Sequence, residues 1–416
     1  MKYDDVPLWH KARLTPAYLL RYRFWRSAHR RAIFAHRTEA GDRTAESDER
    51  HLEAALRWLL SSQDAANDGG FTGRYRLDKG WSTSYPETTG YIIPTLLALA
   101  EASDAKLVSL PVASSELIER ATRAGQFLLD IQFETGAFPA GEIGPTTKQP
   151  SPFNTAQIIN GLHQFHKHSG VEDYFHAATR ACDWLVDVQD EDGAWRQWFY
   201  HSIPATYCAH LACWLAEFGV YAGNEKHKQS AFKNAEWILS HQDKESGFFD
   251  KCGFTEEEQR LRIADLHTVA YNQAGLIRIG RALESNEILA AVTLAADGVL
   301  ETFNRLGWLP GVLDFRWRAK ANSACLTGCA QMALVWMDLF EIHGAHKYLD
   351  GAERALELVK KGQILESEEQ NLAGAIPGSD PLWGWYNDGI MPNWAAKFFI
   401  DAVLQKQRLS EALNQA

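Results

Sequence analysis

The sequence predicts an all-α protein in which six helical hairpins close into an (α/α)6 barrel, or toroid, behind an N-terminal helical arm. Three observations carry this expectation. A nine-residue segment recurs without gaps: ALRWLLSSQ (Ala55–Gln63), AGQFLLDIQ (Ala124–Gln132), ACDWLVDVQ (Ala181–Gln189) and NAEWILSHQ (Asn234–Gln242). Trp58, Phe127, Trp184 and Trp237 share one column, and the four glutamines share another. Such repeats mark units that bury their faces only by stacking on neighbours. Each segment is followed within a few residues by glycine and an aromatic, at Gly70-Phe71, Gly136-Ala137-Phe138, Gly193-Ala194-Trp195 and Gly247-Phe248. Between the segments lie stretches apolar on most faces, as helices surrounded by other helices are.

Taken in order, residues 1–46 form the arm and 47–416 the toroid. Within the arm, Leu19 to Arg37 is basic and amphipathic. It suits either peripheral contact with a membrane surface or a strap across the body, its arginines paired with an acidic surface. In the first outer helix Leu52, Ala55, Leu56, Leu59 and Leu60 follow the i, i+3, i+4, i+7, i+8 spacing of an amphipathic helix. The glycine after each outer segment is expected as its left-handed cap. The first inner helix is expected from Pro86 to Ser103. Pro86 suits the first turn, where its missing N–H is unpaired anyway. Glu87 sits where the helix dipole favours a carboxylate, and Pro94 predicts a kink. Further inner helices are expected over Pro152 to His168, Pro204 to Phe218 and Asp265 to Leu283. Two weaker pairs follow: Glu287 to Phe303 leads to Asn322 to Ile342, and Ala345 to Lys361 leads to Pro392 to Gln405. The loops entering the inner helices would line one mouth.

Composition narrows the function classes. Hydrophobic residues make up 46% of the 416, with 15 Trp, 13 Tyr and 20 Phe. That is enough for a large core and for ring platforms in a cleft. The net charge of −11 argues against nucleic acid as a partner. Cys182, Cys208, Cys213, Cys252, Cys325 and Cys329 form no CxxC pair and read as buried, reduced thiols of a cytoplasmic protein. The acids at Asp4 and Asp5 argue against a signal peptide. No apolar run reaches transmembrane length.

The glutamine–glycine–aromatic punctuation, best seen in Gln189-Asp190-Glu191-Asp192-Gly193-Ala194-Trp195, resembles the repeats of the prenyltransferase and squalene-cyclase toroid superfamily over roughly residues 50–400. SYPETTGYIIPTLL (Ser84–Leu97) and CLTGCAQMAL (Cys325–Leu334) look more narrowly like bacterial exopolysaccharide-biosynthesis proteins of the VpsJ type. That resemblance implies a pathway rather than a reaction. Two motifs of the wider superfamily are weak or missing. No Asp-x-Asp-Asp proton donor of triterpene cyclases lies on an inner helix, which disfavours a terpenoid or prenyl enzyme. Asp250-Lys251-Cys252, with His267 or His343, superficially matches the zinc ligands of protein prenyltransferases. Such a triplet arises often by chance, so neither zinc nor another cofactor is expected.

The inner-helix starts share Pro or Asp followed by polar residues, including Asn154, Tyr207 and His267, and capping accounts for most of their Thr and Asn residues. Glu87 stands out as an acid among Trp81, Tyr85 and Tyr91. The loops Trp195–His201, Asp314–Lys320 and Trp383–Asp388 set Trp198, His201, Trp317, Trp385 and Tyr386 beside Arg316 and Arg318. Rings stack on the C–H face of a sugar, and arginine forks onto a carboxylate or phosphate. The expected partner is therefore an oligosaccharide, a polysaccharide or a lipid-linked glycan. Hydrolysis needs two carboxyl groups, with Glu87 as the acid and Asp265 or Asp388 as its companion. Elimination or epimerisation of a uronate would instead draw on Tyr207, His201, His267 and Tyr386, with Arg316 or Arg318 neutralising the carboxylate. A non-catalytic glycan-binding or assembly scaffold is the competing class.

Overall fold

The computed structural model describes residues 16–36, 43–144 and 149–415. Its outer helices are α2 (Asp48–Asp64), α4 (Ser114–Ile131), α6 (Glu172–Asp187), α8 (Glu225–Leu239), α11 (Asn286–Leu306) and α13 (His346–Gly362). Its inner helices are α3 (Pro86–Asp104), α5 (Pro152–Ser169), α7 (Ala209–Tyr221), α10 (Leu266–Ala282), α12 (Leu326–His343) and α14 (Asn393–Gln415). In the arm, α1 is Ser27–Ala35, and a short α9 (Glu256–Arg260) precedes α10. Successive inner helices touch all the way round, and α14 returns to α3, so the ring is closed. This is the predicted (α/α)6 toroid.

The hairpins run the other way from the expected pairing. Each inner helix packs chiefly on the outer helix that follows it, and α2 is covered by the last inner helix, α14. Lys406 of α14 and Lys360 of α13 both reach Asp48, at 2.8 and 2.9 Å. Physically, the connections from inner to outer helices are mostly short, whereas those from outer to inner are long and form the mouth. Three small antiparallel ribbons stitch these long loops together. Arg74–Arg76 lies between Gly80–Trp81 and Ile390–Pro392, Ile263–Asp265 pairs with Val312–Asp314, and Ala324–Cys325 pairs with Ser379–Asp380. Three of these strands run directly into α10, α12 and α14. They aim the starts of those helices at the axis.

The repeated glutamine has a specific task. The Gln63 amide donates to the carbonyl of Gly69 at 2.9 Å and to that of Arg120, on the next outer helix, at 3.0 Å. Gln132 does the same to Gly136 and Ala177, Gln189 to Gly193 and Ser230, and Gln242 to Gly247 and Ala291. Gln363 repeats the pattern onto Gly374 and, across the ring closure, onto His51. Each side chain thus joins its own turn to the neighbouring outer helix. The glycine is not the helix cap that the sequence led us to expect. α4 is capped by Gln132, whereas Gly136 lies four residues on with φ +93°. A Cβ there would stand 2.3 Å from the Arg180 carbonyl oxygen. The glycine lets two backbones meet.

The arm is a strap. Residues 16–21 are helical, the chain turns, and α1 follows, so the expected single Leu19–Arg37 helix is broken; Arg37 itself lies outside the described residues. Tyr22 donates its hydroxyl to Asp388, and Arg21 approaches the same carboxylate at 3.3 Å. His29 and Arg26 reach Glu369, each at 3.2 Å, and His36 reaches Asp380 at 2.9 Å. All three acids belong to the long loop between α13 and α14. Among the described residues, no helix is long and apolar enough to cross a membrane. All six cysteines are buried and free.

Candidate functional site

The long loops and the inner-helix starts enclose a cavity of about 970 Å³ at one end of the barrel axis. Glu87, Asp265, His267, Tyr207, Tyr85, Asn154, Trp198, His201, Trp385 and Tyr386 all line it. The inner-helix starts converge because their helices ring the axis.

Glu87 is a strongly perturbed acid of the cavity. It lies in the first turn of α3, buried to 8% exposure. Burial penalises its charged form and pushes its carboxyl up to about 7, although the Tyr85 hydroxyl and the Arg74 charge both pull it down. Desolvation therefore outweighs the helix-dipole preference. Tyr85 donates to Glu87 Oε2 at 2.6 Å, and burial holds its own phenol well above the ordinary range. The partner is a neutral hydroxyl rather than a cation, so the carboxyl is held without being locked in an ion pair. Arg74 turns instead to Glu142 at 2.7 Å and lies over the Trp394 ring.

Across the cavity, Asp265 ends the Ile263–Asp265 strand and occupies the N-cap position of α10. His267 follows in the first turn of that helix. Its Nδ1 is 2.8 Å from Gln331 Oε1. A carbonyl oxygen only accepts, so Nδ1 carries the proton and Nε2 is the basic nitrogen. Burial pushes the imidazole down to about 4, so it is neutral at ordinary pH. Its ring is clasped by Tyr271 and Tyr386, with centroids at 4.2 and 5.2 Å. Tyr386 in turn accepts from Trp394 Nε1 at 2.9 Å. Tyr207 packs on Phe153, Phe199 and Phe254, and burial raises its hydroxyl well above 10. Asn154 donates to the Pro139 carbonyl and takes the Ser151 cap on its backbone N–H, so it is held by local structure as well as facing the cavity.

Strain gathers here. Ten non-glycine residues of the described chain have positive φ, and Trp198, His201, Ser202 and Asn387 all belong to the cavity wall. Residues in such conformations cluster at functional sites. Trp198 stacks on Trp184 at 5.8 Å and remains 39% exposed at the rim.

Five sequence-predicted residues lie elsewhere. Asp388 does not line the cavity, because its carboxylate is taken by Tyr22 and Arg21 of the arm. Trp81 packs on Trp58 and Tyr75 and donates to Asn371, on the outer-helix side of its loop. Trp317, at φ +57°, turns inward onto Phe248 and donates to the Ser246 carbonyl. Arg318 is drawn onto Asp314 at 2.7 Å, and Arg316 lies over Phe315. The tight turn closed by Asp314 therefore points the whole basic loop away from the mouth. Asp250, from the zinc triplet, is bound to Arg262 at 2.7 Å, and His343 to Thr293. Among the described residues, no three candidate ligands gather in a metal-holding group.

Sequence reasoning missed Tyr271, Arg74, Phe153 and Trp394, which also line the cavity, and it used Tyr91 only as a flank of Glu87. Helical spacing was the available signal for two of these tyrosines. Tyr91 and Tyr271 lie four residues after Glu87 and His267, hence on the same helix faces.

No protein-family model matches the chain, and no curated protein matches it by sequence. Solved structures do. An unsaturated glucuronyl hydrolase specific for heparin superposes with a TM-score of 0.67 at 14% identity, covering 88% of this chain and 98% of its own. A cellobiose 2-epimerase from Bacillus thermoamylovorans gives 0.66 at 13%, covering 86% and 97%. A GH76 α-mannanase from Bacteroides thetaiotaomicron gives 0.60 at 10%, covering 89% and 98%. At these identities the likeness shows the fold: this chain is an α/α toroid.

Proposed function

We propose that the protein is a carbohydrate-active enzyme that hydrolyses a glycosidic bond at the barrel mouth, with Glu87 as general acid and Asp265 as the second carboxyl group. One observation carries the reading. A buried carboxyl pushed up to about 7 faces a ring-lined cavity that also holds a second acid. A proton donor with a pKa near the working pH is what leaving-group protonation needs. Tyr85 orients the carboxyl, while Tyr386, Trp385 and Trp198 offer faces and edges to sugar rings. The solved structures of similar fold named above act on sugars, which supports the same class.

A second reading, epimerisation, is favoured by His267. It is a neutral imidazole in the cavity wall whose Nδ1 is held by Gln331, leaving Nε2 to accept a proton, with burial weakening it as a base. The resemblance of Ser84–Leu97 and Cys325–Leu334 to exopolysaccharide-biosynthesis proteins supplies the proposed setting, bacterial polysaccharide production in the cytoplasm.

Incubating the purified protein with a panel of neutral and uronate-containing oligosaccharides separates the readings. New reducing ends, absent with Glu87→Gln, support hydrolysis. Solvent deuterium entering the sugar without cleavage supports epimerisation. Binding without either change, undisturbed in Glu87→Gln, would leave a glycan-binding scaffold.

A further inference from the structure

The strap contacts explain only the inner face of the arm. Leu19, Leu20, Trp25 and Phe34 are 42%, 64%, 61% and 48% exposed. Scattered exposed apolar residues are ordinary, but the described chain has fourteen large ones in all, and four fall within these sixteen residues. The same stretch holds five arginines and no acid, in a chain of net charge −11. Arg21, Arg26 and Arg31 fasten the arm to Asp388, Glu369 and Glu368. Arg30 donates to the carbonyls of Phe24 and Trp25 at 2.9 and 2.8 Å and so holds the turn that presents Trp25. The arm thus keeps its apolar side chains outward, flanked by arginines that neutralise the acids of the loop beneath it.

We propose that this face docks the protein on an anionic lipid bilayer. Protruding Trp, Leu and Phe beside arginine suit the headgroup boundary, where rings and aliphatic chains enter the interface while cations meet lipid phosphates. An acidic body is repelled by such a surface, and the arginines of the arm offset that repulsion. With no spanning helix among the described residues, the attachment is interfacial and salt-sensitive. The loop that the arm clasps continues into Trp385, Tyr386 and Asn387 of the cavity wall. On a bilayer the protein would meet a lipid-linked glycan, whose sugars are carried by the same surface. The docking stands by itself, whereas the lipid-linked form of the substrate rests on the glycan reading above.

The test is sedimentation of the full chain with vesicles of phosphatidylcholine, with and without phosphatidylglycerol. Binding to the anionic vesicles is expected, weakened by salt, and reduced at least about tenfold by the double variant Leu20→Asp/Trp25→Ser. Both side chains are exposed, so the variant should keep its helical circular dichroism and its turnover of soluble oligosaccharide. No binding to either vesicle overturns the proposal. So does a wild-type dimer in size-exclusion chromatography that this variant dissociates, since the face would then be a contact between copies. Vesicle binding without any glycan turnover keeps the docking and removes the glycan reading alone.

Discussion

Replacing Glu87 by glutamine should change the pH dependence of stability in a direction fixed by the burial of the carboxyl. The folded carboxyl titrates near 7 and the unfolded one near 4.5. Between those values the folded state binds more protons than the unfolded state, so stability falls as pH rises through that window and levels off above it. A shift of this size corresponds to about 3 kcal/mol at full development, at 1.4 kcal/mol per unit. The glutamine side chain is neutral and nearly isosteric, and can still accept from Tyr85. Wild type and variant should therefore be about equally stable at pH 5, and the variant should be the more stable by about 2–3 kcal/mol at pH 8.5. Chemical or thermal unfolding of both proteins across that range measures the difference, and the comparison cancels the other titrating groups. The buried His163 and His267, held down to about 4, act in the opposite sense by removing stability as pH falls below 6.5. If the gap between the proteins stays constant from pH 5 to 8.5, Glu87 is an ordinary carboxylate and the acid assigned to it is lost.

The two candidate companion acids are expected to part. Asp265→Asn should lower kcat by at least about a hundredfold, while Asp388→Asn should leave kcat within a fewfold and loosen only the arm, seen as faster proteolysis near residue 22. Gln132→Ala removes one bond to its own turn at Gly136, one to Ala177 on the next outer helix and the acceptor of Arg180, and should cost about 2 kcal/mol in denaturant unfolding. Gly136→Ala should cost more than that, since its Cβ would collide with the Arg180 carbonyl at an unfavourable φ. Gln331→Leu strips His267 of its Nδ1 partner and should destabilise the fold by about 1–3 kcal/mol; unchanged stability would show that the pairing is not maintained in solution.

The architecture was legible because it repeats. The aromatic column, the apolar inner helices and the glutamine column together specify six stacked hairpins. Pairing direction was not legible, because periodicity shows which faces are apolar but not which neighbour covers them. Gln363 escaped the alignment, since its helix lacks the aromatic column, yet it makes the same two bonds as its counterparts. In the site, residues at inner-helix starts were placed well because the helix itself aims them. Residues on loops were not. Arg316, Trp317 and Arg318 follow Asp314, whose carboxylate accepts from the backbone N–H of both arginine residues at 3.0 Å. That local turn, invisible to composition, decides which way the loop faces. Asp388 was misassigned for a related reason, since its partner Tyr22 lies 366 residues away in the chain.

The glutamine links also bear on the order in which the repeats are joined. Because Gln363 bonds His51 as Gln132 bonds Ala177, the last seam of the ring is chemically the same as an interior one. Asp48 and Lys406, near the two ends of the ring, are already in contact. Five of the six seams carry this link, all but the one between α11 and α13, and the closing seam is among the five, so closure itself marks no first unit. Joining those ends and opening the chain at the turn around Gly223, between α7 and α8, should give a circular permutant that folds to the same barrel. The order of the repeats along the gene is then one of several that the same set of contacts would accept.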